Sequence, residues 1–343
     1  MSKRKLNRRQ AWRVEKIQQE KAQRARKKEV GISEKLNAGE LGDELEGQVI
    51  AHFGTQVEVE ARGDHSLKYR CYLRANLGSL VTGDHIVFRP GPETSGVLTG
   101  VVETVLKRQS ELSRPNPYNE IKPVAANIDF IVLTIAPEPE AHANLIDRYL
   151  VAAENCQIEP IILLNKTDLL NDSNRERFQQ LLQKYEDLGY GTLQVCSKEE
   201  SSLGSLKEFL NGRVSVFVGQ SGVGKSSLIG TLLPDEDLKV GALSENTRKG
   251  RHTTTTARLY HFPAGGDLID SPGIREFGLW HMSADDVLYG FRELRPLAGY
   301  CRFRDCKHEQ EPGCALREAL EKEEIRQDRF DSYKRILQTL TEL

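Results

Sequence analysis

Short runs of alternating apolar and polar residues fill the chain from Glu46 to about residue 110. Val57 and Val59 alternate with polar neighbours, and Ile86 and Phe88 do the same further along. This period of two is typical of strands with one buried face, and turn residues separate the runs. Five such strands over about 65 residues predict a small β-barrel, for which an OB-fold is the first interpretation. An SH3-like barrel that packs on its neighbour is the alternative.

Continuous apolar runs, most of them followed by a helical pattern, replace this alternation in residues 111–278. The runs are IDFIVLTI, EPIILL, TLQVCS, VSVFVG and DLID. Runs of this kind are typical of buried strands, and strands that alternate with helices form parallel sheets. The segment therefore predicts an α/β domain whose ligand lies at the carboxyl ends of the strands.

Helical patterns dominate the C-terminal part of the chain. One helix is expected from Ala284 to about Leu294, capped by Ser283 with Asp286 three residues on. The last helix has one apolar stripe, expected to face the core: Phe330, Tyr333, Leu337 and Leu340. The predicted parts of this multidomain protein are a basic disordered tail and linker at 1–45, the barrel at 46–110, the α/β domain at 111–278 and the helical domain at 279–343.

Composition narrows the functional classes. The chain has 343 residues, 38% hydrophobic and 29% charged, as expected for a protein with a packed core. No run approaches the roughly 18 apolar residues of a membrane helix, and the basic N-terminus lacks the apolar core of a secretory signal. Six cysteines, three of them from Cys301 to Cys314, do not suggest a disulfide framework. We therefore expect a cytoplasmic protein that makes no membrane contact.

The net charge of −2 conceals a strongly basic N-terminus. Residues 1–30 contain twelve Lys or Arg against three Glu, a local charge of +9 that leaves −11 for the rest. Such a segment is expected to be disordered in the free protein. Because Lys/Arg clusters release counterions from phosphates, it also predicts an arm for a polyanion, with RNA as the first candidate. The barrel adds some basic character: Lys68, Arg70, Arg74, Arg89, Lys107 and Arg108.

A phosphate-binding loop stands between the strand VSVFV and the helical run SSLIGTLL. Its glycines permit a tight turn whose backbone N–H groups surround phosphates, and the helix N-terminus adds its dipole. Lys225 is expected to neutralise the β/γ-phosphate charge, and Ser226 to bind Mg²⁺. The predicted contacts are Gly219, Gln220, Ser221, Gly222, Val223, Gly224, Lys225, Ser226 and Ser227.

Two loops that precede the phosphate loop in the chain are candidates for recognising the base of a bound nucleotide. Asn165-Lys166-Thr167-Asp168 ends a buried strand, where a buried Asp168 carboxylate would accept hydrogen bonds from guanine N1–H and its amine. Asn165 can tie this loop to the phosphate loop, and the stem of Lys166 can pack on the purine. Ser197 and Lys198 follow the next strand, in the place of a second guanine-contacting loop. An ordinary β–α turn is the alternative for that second loop.

Two later segments are candidate switches. In Asp270-Ser271-Pro272-Gly273, Asp270 can hold Mg²⁺ through water and the Gly273 N–H can sense the γ-phosphate. The stretch RKGRHTTTTARLY is polar, and Thr255 is the first candidate there for a Mg²⁺ ligand, with Thr254 second. A mobile low-complexity loop is the alternative, although a switch is mobile too.

Ile274 stands directly after DSPG, where many GTPases have a glutamine that orients water. Isoleucine cannot donate or accept a proton, so the sequence predicts slow GTP hydrolysis by the protein alone. His252 is the nearest candidate for positioning the water, and a solvent-exposed loop histidine is the alternative. Together with His252, the catalytic candidates are Thr255 and Gly273.

The order of these motifs is unusual, because the base-reading loops precede the phosphate loop. A parallel sheet can be cut at a surface loop and rejoined elsewhere, since the termini of a domain are often close together. The order therefore predicts a circularly permuted GTPase domain.

Four metal-ligand residues follow within a short span: Cys301, Cys306, His308 and Cys314. Three thiolates and an imidazole suit a tetrahedral, closed zinc site with a structural role. Free thiols or a redox pair are the alternatives.

The motifs NKTD, GQSGVGKSSL, RHTTTT, DSPG and CRFRDCKHEQEPGC, in that order behind a barrel-like segment, resemble the RsgA (YjeQ) family. The resemblance covers roughly residues 46–343. It implies an OB-fold, a permuted GTPase domain and a zinc-binding helical domain, with Mg²⁺ and GTP as cofactor and substrate. One departure is Cys196-Ser197-Lys198, where related GTPases commonly have Ser-Ala-Lys, so the side-chain contribution there stays open.

The same resemblance implies a function. The expected protein is a monomer that binds GTP or GDP, the small ribosomal subunit and its rRNA. It is expected to assist late maturation of that subunit, with slow GTP hydrolysis that the subunit stimulates and that leads to release. Two alternatives are a P-loop ATPase or kinase, and a GTP-dependent RNA-binding clamp in which hydrolysis has little catalytic role.

Overall fold

The computed structural model describes residues 41–74, 77–94, 96–115, 120–234, 257–271, 274 and 282–341. The predicted basic tail lies outside these residues. So do His252, Thr254, Thr255 and Gly273.

Five strands form a closed barrel at the N-terminal end of the described chain. They are β1 (Leu45–His52), β2 (Gln56–Ala61), β3 (Asp64–Leu73), β4 (His85–Pro90) and β5 (Leu98–Val105). They pair in the order β1-β2-β3-β5-β4, and β4 pairs back to β1. The inward residues are fully buried: Val49, Val57, Val59, Cys71, Ile86, Phe88 and Val102. This closed five-stranded barrel supports the predicted OB-fold.

A two-stranded hairpin follows the barrel and was not predicted from the sequence. It consists of β6 (Glu111–Pro115) and β7 (Ile121–Ala126), which pair antiparallel. Its apolar residues Leu112 and Ala125 are buried in the main core. The hairpin therefore packs on the α/β region that comes next.

A second group of strands forms the predicted parallel sheet. They are β8 (Phe130–Ile135), β9 (Glu159–Leu164), β10 (Gly191–Gln194), β11 (Val214–Val218), β12 (Arg258–His261) and β13 (Asp267–Asp270). Their order is β10-β9-β8-β11-β13-β12, and all pairs are parallel except β12 with β13. The edge strand β12 also pairs with β1 at Arg258 and Ala51, so the sheet continues into the barrel.

Helices cover both faces of this sheet. They are α1 (Ala143–Asn155), α2 (Arg175–Asp187), α3 (Gly204–Leu210) and α4 (Lys225–Leu232). Along β9 the side chains alternate: Ile162 packs with α1 and α2, and Leu163 packs with α3 and α4. Two buried faces explain why these strands have continuous apolar runs.

The C-terminal region is helical, with α5 (Ala284–Tyr289), α6 (Ala315–Glu321) and α7 (Gln327–Thr341). The capping box at Ser283 and Asp286 is present, but α5 ends at Tyr289, earlier than the expected Leu294. Within the described ranges, no helix is long and apolar enough to span a bilayer.

Ion pairs attach the C-terminal region to α1, and one of them is fully buried. Arg329 on α7 is only 1% exposed and donates a hydrogen bond to Asp147, which is equally buried. Arg292 and Arg295 both donate to Glu154, each at 2.5 Å. Removing one partner of a buried pair typically costs ~3–5 kcal/mol, so the Arg329–Asp147 pair in particular holds the helical region against α1.

Candidate nucleotide site and metal centre

The predicted nucleotide motifs meet at one edge of the sheet. The loops after β9, β10, β11 and β13 carry Asn165, Ser197, Gly219 and Ser271 respectively. Because these strands are parallel, their carboxyl ends lie side by side. This is where a ligand of an α/β sheet is expected to bind.

The phosphate loop needs glycine at defined positions. Gly219 has φ +133°, and a Cβ there would lie 2.2 Å from the carbonyl oxygen of Thr134 on β8. Gly224 has φ +93°, and a Cβ there would lie 2.5 Å from Asn165 Nδ2. Both positions combine a left-handed backbone with contact to a neighbouring strand end, so a side chain is excluded. The loop is therefore shaped for close backbone approach.

Lys225 opens α4 and lies across this loop. Its ammonium donates to the carbonyl oxygens of Gly219 at 2.6 Å and Gln220 at 2.7 Å. A phosphate in the loop would contact this ammonium and the N-terminal N–H groups of α4. The other predicted contacts lie in the same turn and first helical residues: Gln220, Ser221, Gly222, Val223, Ser226 and Ser227.

Asp270 is the last residue of β13, the strand beside β11. This neighbouring position brings it to the phosphate end of the sheet together with Ser226 at the start of α4. Both residues therefore lie at the edge of the sheet where the phosphate loop begins.

Asn165 is fully buried, and its side chain connects its own loop with two others. Its Nδ2 donates to the carbonyl oxygen of Val223 in the phosphate loop at 3.0 Å. Its Oδ1 accepts from the backbone N–H of Ser197 at 3.2 Å. The base-reading loops and the phosphate loop therefore form one connected structure.

Asp168 is held by the second base-reading loop. Lys198 Nζ donates to its Oδ2 at 2.7 Å, and Cys196 Sγ donates to its Oδ1 at 3.3 Å. These two hydrogen bonds, that from Lys198 first, lower the pKa of Asp168 below its usual value. The side chain is 23% exposed and so not buried as expected. An ionised, reachable carboxylate can accept the N1–H and amine hydrogens of guanine.

Lys166 makes contacts that the sequence did not indicate. Its backbone is left-handed, with φ +60°, and its ammonium donates to the carbonyl oxygens of Glu138 at 2.8 Å and Gly222 at 2.7 Å. Gln220 Nε2 donates to the Pro139 carbonyl oxygen at 3.1 Å. The loop after β8 is thus part of the site wall. Its only sequence signal is its position at the end of a buried strand.

Ile274 is 2% exposed and packs in the main apolar core. The residue that follows DSPG is therefore a core side chain. His252, Thr255 and Gly273 lie outside the described residues, so the structure does not test their predicted roles.

The four predicted metal ligands converge. Their ligand atoms all lie within 4.8 Å of one another. His308 Nδ1 is 3.4 Å from Cys314 Sγ and 3.5 Å from Cys301 Sγ, and the two sulfurs are 4.0 Å apart. Zinc with bonds of about 2.3 Å to sulfur and about 2.1 Å to nitrogen separates tetrahedral ligands by about 3.6–3.8 Å. The cluster fits a zinc site.

Glu311 organises the loop that carries His308. Its carboxylate accepts backbone N–H groups of Lys307 at 2.9 Å, Glu309 at 2.8 Å and Gln310 at 3.1 Å. These hydrogen bonds, with that from Lys307 first, lower the pKa of Glu311 to about 2. An acidic residue in a charged loop gives no sequence signal for this role. Glu311 therefore supports the ligand loop from within.

Comparison with known proteins identifies the family that shares this architecture. The family model described as RsgA GTPase matches residues 105–280. Two curated relatives are each named Small ribosomal subunit biogenesis GTPase RsgA. That from Pseudomonas aeruginosa PAO1 is 58% identical over 343 residues, covering 100% of this chain and 99% of the relative. That from Marinobacter nauticus is 55% identical over 346 residues, covering 100% and 97%.

The chain belongs to the RsgA GTPase family.

Two solved structures share the fold of this RsgA-family chain. YjeQ from Thermotoga maritima is 30% identical with a TM-score of 0.71, covering 87% of this chain and 99% of that one. YloQ, described as a circularly permuted GTPase, is 27% identical with a TM-score of 0.67, covering 88% and 96%. The predicted permutation is confirmed: β9 and β10, with the base-reading loops, precede β11 in the chain but lie in the same sheet.

Membership in the RsgA family makes the protein a GTP-hydrolysing enzyme. This sets aside the ATPase and kinase alternatives.

Proposed function

We propose that this GTPase binds the small ribosomal subunit, assists its late maturation, and hydrolyses GTP when the subunit stimulates it. The observation that carries the proposal is the convergence of the guanine-reading and phosphate loops in a chain 58% identical to a protein named Small ribosomal subunit biogenesis GTPase RsgA. Hydrolysis would then relax the switch segments and release the protein.

In this proposal GTP is held by two groups of residues. Asp168 reads guanine, Lys198 and Asn165 position the two base-reading loops, Ser197 lines the second loop, and the Lys166 stem packs on the purine. The phosphates contact Gly219, Gln220, Ser221, Gly222, Val223, Gly224, Lys225, Ser226 and Ser227. Mg²⁺ is bound by Ser226 and Thr255 and, through water, by Asp270.

Catalysis is assigned to three residues outside the described part of the chain. Gly273 senses the γ-phosphate, Thr255 completes the Mg²⁺ site, and His252 positions the attacking water. The burial of Ile274 supports this division of roles, because its side chain packs in the core and supplies no polar group. Slow turnover without the subunit follows.

RNA contact is proposed for the basic tail at 1–30 and for the barrel. Several barrel arginines are already paired within the protein: Arg74 with Glu103, Arg89 with Glu44 and Arg108 with Asp84. Arg70 instead lies over the ring of Phe53, with its guanidinium carbon 4.4 Å from the centroid, and Phe53 is 40% exposed. An exposed aromatic–arginine pair is typical of surfaces that stack unpaired RNA bases.

One structural zinc ion is proposed for the cysteine cluster, held by Cys301, Cys306, His308 and Cys314. The helical region at 279–343 would then be a zinc-binding domain, beside the barrel at 46–110 and the GTPase domain at 111–278. A cytoplasmic monomer is proposed.

Replacing Cys314 by serine is expected to remove the zinc and to destabilise the C-terminal helices by at least ~2 kcal/mol, because metal loss leaves the ligand loops unconnected. Metal content by elemental analysis and thermal unfolding measure the two effects. Cys156→Ser is the matched control, since Cys156 is half-buried and outside the cluster. Full zinc content in Cys314→Ser would contradict the assignment.

The second candidate function is a GTP-dependent RNA-binding clamp in which hydrolysis has little role. The observation that favours it is the buried Ile274 side chain, which leaves no polar group directly after DSPG to orient a water for hydrolysis.

Subunit affinity should depend on the bound nucleotide if the proposed function is right. We expect at least about tenfold tighter binding to small subunits with a non-hydrolysable GTP analogue than with GDP, because the switch segments are ordered by the γ-phosphate. Co-sedimentation or surface-binding titrations measure this difference. Equal affinity in the two nucleotide states would exclude release driven by hydrolysis.

A further inference from the structure

The barrel and the GTPase sheet contact each other through charged side chains of β2 and β12. Glu58 and Glu60 are two residues apart on β2 and so point to the same side, away from the barrel core. Two residues of β12 reach them: Arg258 forms an ion pair with Glu58 at 3.3 Å, and His261 contacts Glu60. Alternation predicts that Glu60 faces solvent, yet it is only 3% exposed. Its burial follows from the packing of β12 against the barrel.

The imidazole of His261 connects a carboxylate of the barrel with a carboxylate of the GTPase sheet. His261 Nε2 is 2.5 Å from Glu60 Oε2 on the barrel, and His261 Nδ1 is 2.6 Å from Asp267 Oδ1 on β13. We call these three residues the Glu60–His261–Asp267 bridge. A metal ion would separate tetrahedral nitrogen and oxygen ligands by about 3.4 Å. The shorter distances are those of charge-assisted hydrogen bonds.

The surroundings of the bridge favour a protonated imidazole. Hydrogen bonds to Asp267 and then Glu60 raise the pKa of His261 to about 9. Burial raises the pKa of Glu60, but hydrogen bonds from His261 and His65 outweigh it and lower that pKa. His65 Nδ1 is 3.0 Å and Lys68 Nζ 3.7 Å from the Glu60 carboxylate. At neutral pH the bridge is thus an imidazolium between two carboxylates.

The bridge holds one end of a short hairpin whose other end reaches the nucleotide edge. In the β12–β13 pair, His261 is opposite Asp267, and Arg258 is opposite Asp270. The two ends are about 10 Å apart, the rise of three residues. A second barrel contact lies near the nucleotide end, where the buried Thr82 donates its hydroxyl to the carbonyl oxygen of Ala257 at 2.8 Å. The barrel therefore contacts the hairpin at both ends.

We propose that Glu60 and His261 are positioning residues that couple the barrel to GTP hydrolysis. Binding of the barrel to RNA of the small subunit shifts β2, and the bridge passes this shift to the β12–β13 hairpin. Asp270, at the end of β13, then moves relative to the phosphate loop. The inference rests on the proposed function, because it assumes stimulation by the small subunit.

The bridge also predicts a dependence on pH. The folded-state pKa of His261 is raised from 6.5 to about 9, so the stabilisation is complete below about pH 6.5 and is lost as the pH rises through about 9. The ratio of subunit-stimulated to unstimulated hydrolysis in the unmodified protein should fall over the same range. A constant ratio up to pH 10 would overturn the coupling role even if the variants below failed to fold.

Glu60→Gln and His261→Gln test the coupling directly. The first keeps the shape of the side chain and removes its charge, and the second replaces the ionisable ring with a neutral amide. We expect unstimulated single-turnover hydrolysis and subunit affinity to stay unchanged, and the subunit-stimulated rate to fall about tenfold, within the range typical of coupled sites. The double variant should lose no more than either single variant, because each breaks the same bridge. Arg62→Gln is the control, since it breaks an exposed ion pair with Glu46 within the barrel.

Two results would overturn the inference in distinguishable ways. Stimulation of both variants equal to that of Arg62→Gln would remove the coupling role and leave the proposed function intact. Absence of stimulation in the unmodified protein would remove both.

Discussion

Lys225→Ala is expected to lower GTP turnover at least about 100-fold, the usual effect of removing a group that stabilises developing charge in a phosphoryl-transfer site. The Lys225 ammonium reaches over the phosphate loop, where it bonds the carbonyl oxygens of Gly219 and Gln220. With GTP bound, the same ammonium would meet the β- and γ-phosphates. Single-turnover hydrolysis at saturating protein measures the loss.

Lys207→Ala is the matched control for this change. Lys207 lies on α3, where it pairs with Glu200 at 3.0 Å away from the phosphate loop. Its replacement should leave turnover unchanged. Hydrolysis by Lys225→Ala at the rate of this control would contradict the proposed phosphate site.

Asp168→Asn is expected to weaken GTP binding about 100-fold and to abolish the preference for GTP over ATP, because two hydrogen bonds to a charged acceptor are lost. Lys198 and Cys196 aim the carboxylate, and an amide in its place presents a donor toward guanine N1–H or its amine. Competition of GTP and ATP for a fluorescent guanine nucleotide measures the change.

Asp172→Asn tests whether that effect is specific. Asp172 is an exposed carboxylate four residues further along the same loop. It should retain the GTP preference of the unmodified protein. An unchanged preference in Asp168→Asn would show that guanine is read elsewhere.

Much of the fold could be predicted because local patterns report it. The alternation of Val57 and Val59 marks a barrel strand, and the continuous run around Ile162 and Leu163 marks a strand buried on two faces. The β6–β7 hairpin was missed because its apolar residues, such as Leu112, are too few to form a periodic pattern. Their burial depends on the neighbouring sheet.

Buried charges were missed for a related reason. Glu60 and Arg329 occupy positions that periodicity assigns to solvent, and each is buried because another domain supplies its partner. A single sequence carries no signal for such pairs, since the partners are as far apart as Asp147 and Arg329. The shortened α5 has another cause: the chain turns at Gly290.

More of the nucleotide site than of the surrounding fold could be predicted from the sequence. Glycine spacing, a following lysine and the ends of buried strands located Gly219, Lys225 and Asn165, because the chemistry of phosphate binding restricts the residue types. The wall formed by Glu138 and Pro139 was missed because it contributes only backbone carbonyl oxygens, which any residue can supply.

Single-turnover GTP hydrolysis with and without purified small ribosomal subunits tests the central claim most directly. The proposed function predicts at least about tenfold acceleration by the subunit, in the range typical of coupling between two sites, followed by dissociation of the protein from the subunit. Equal rates with and without subunits, together with tight GTP-dependent binding, would contradict that claim and favour the RNA-binding clamp.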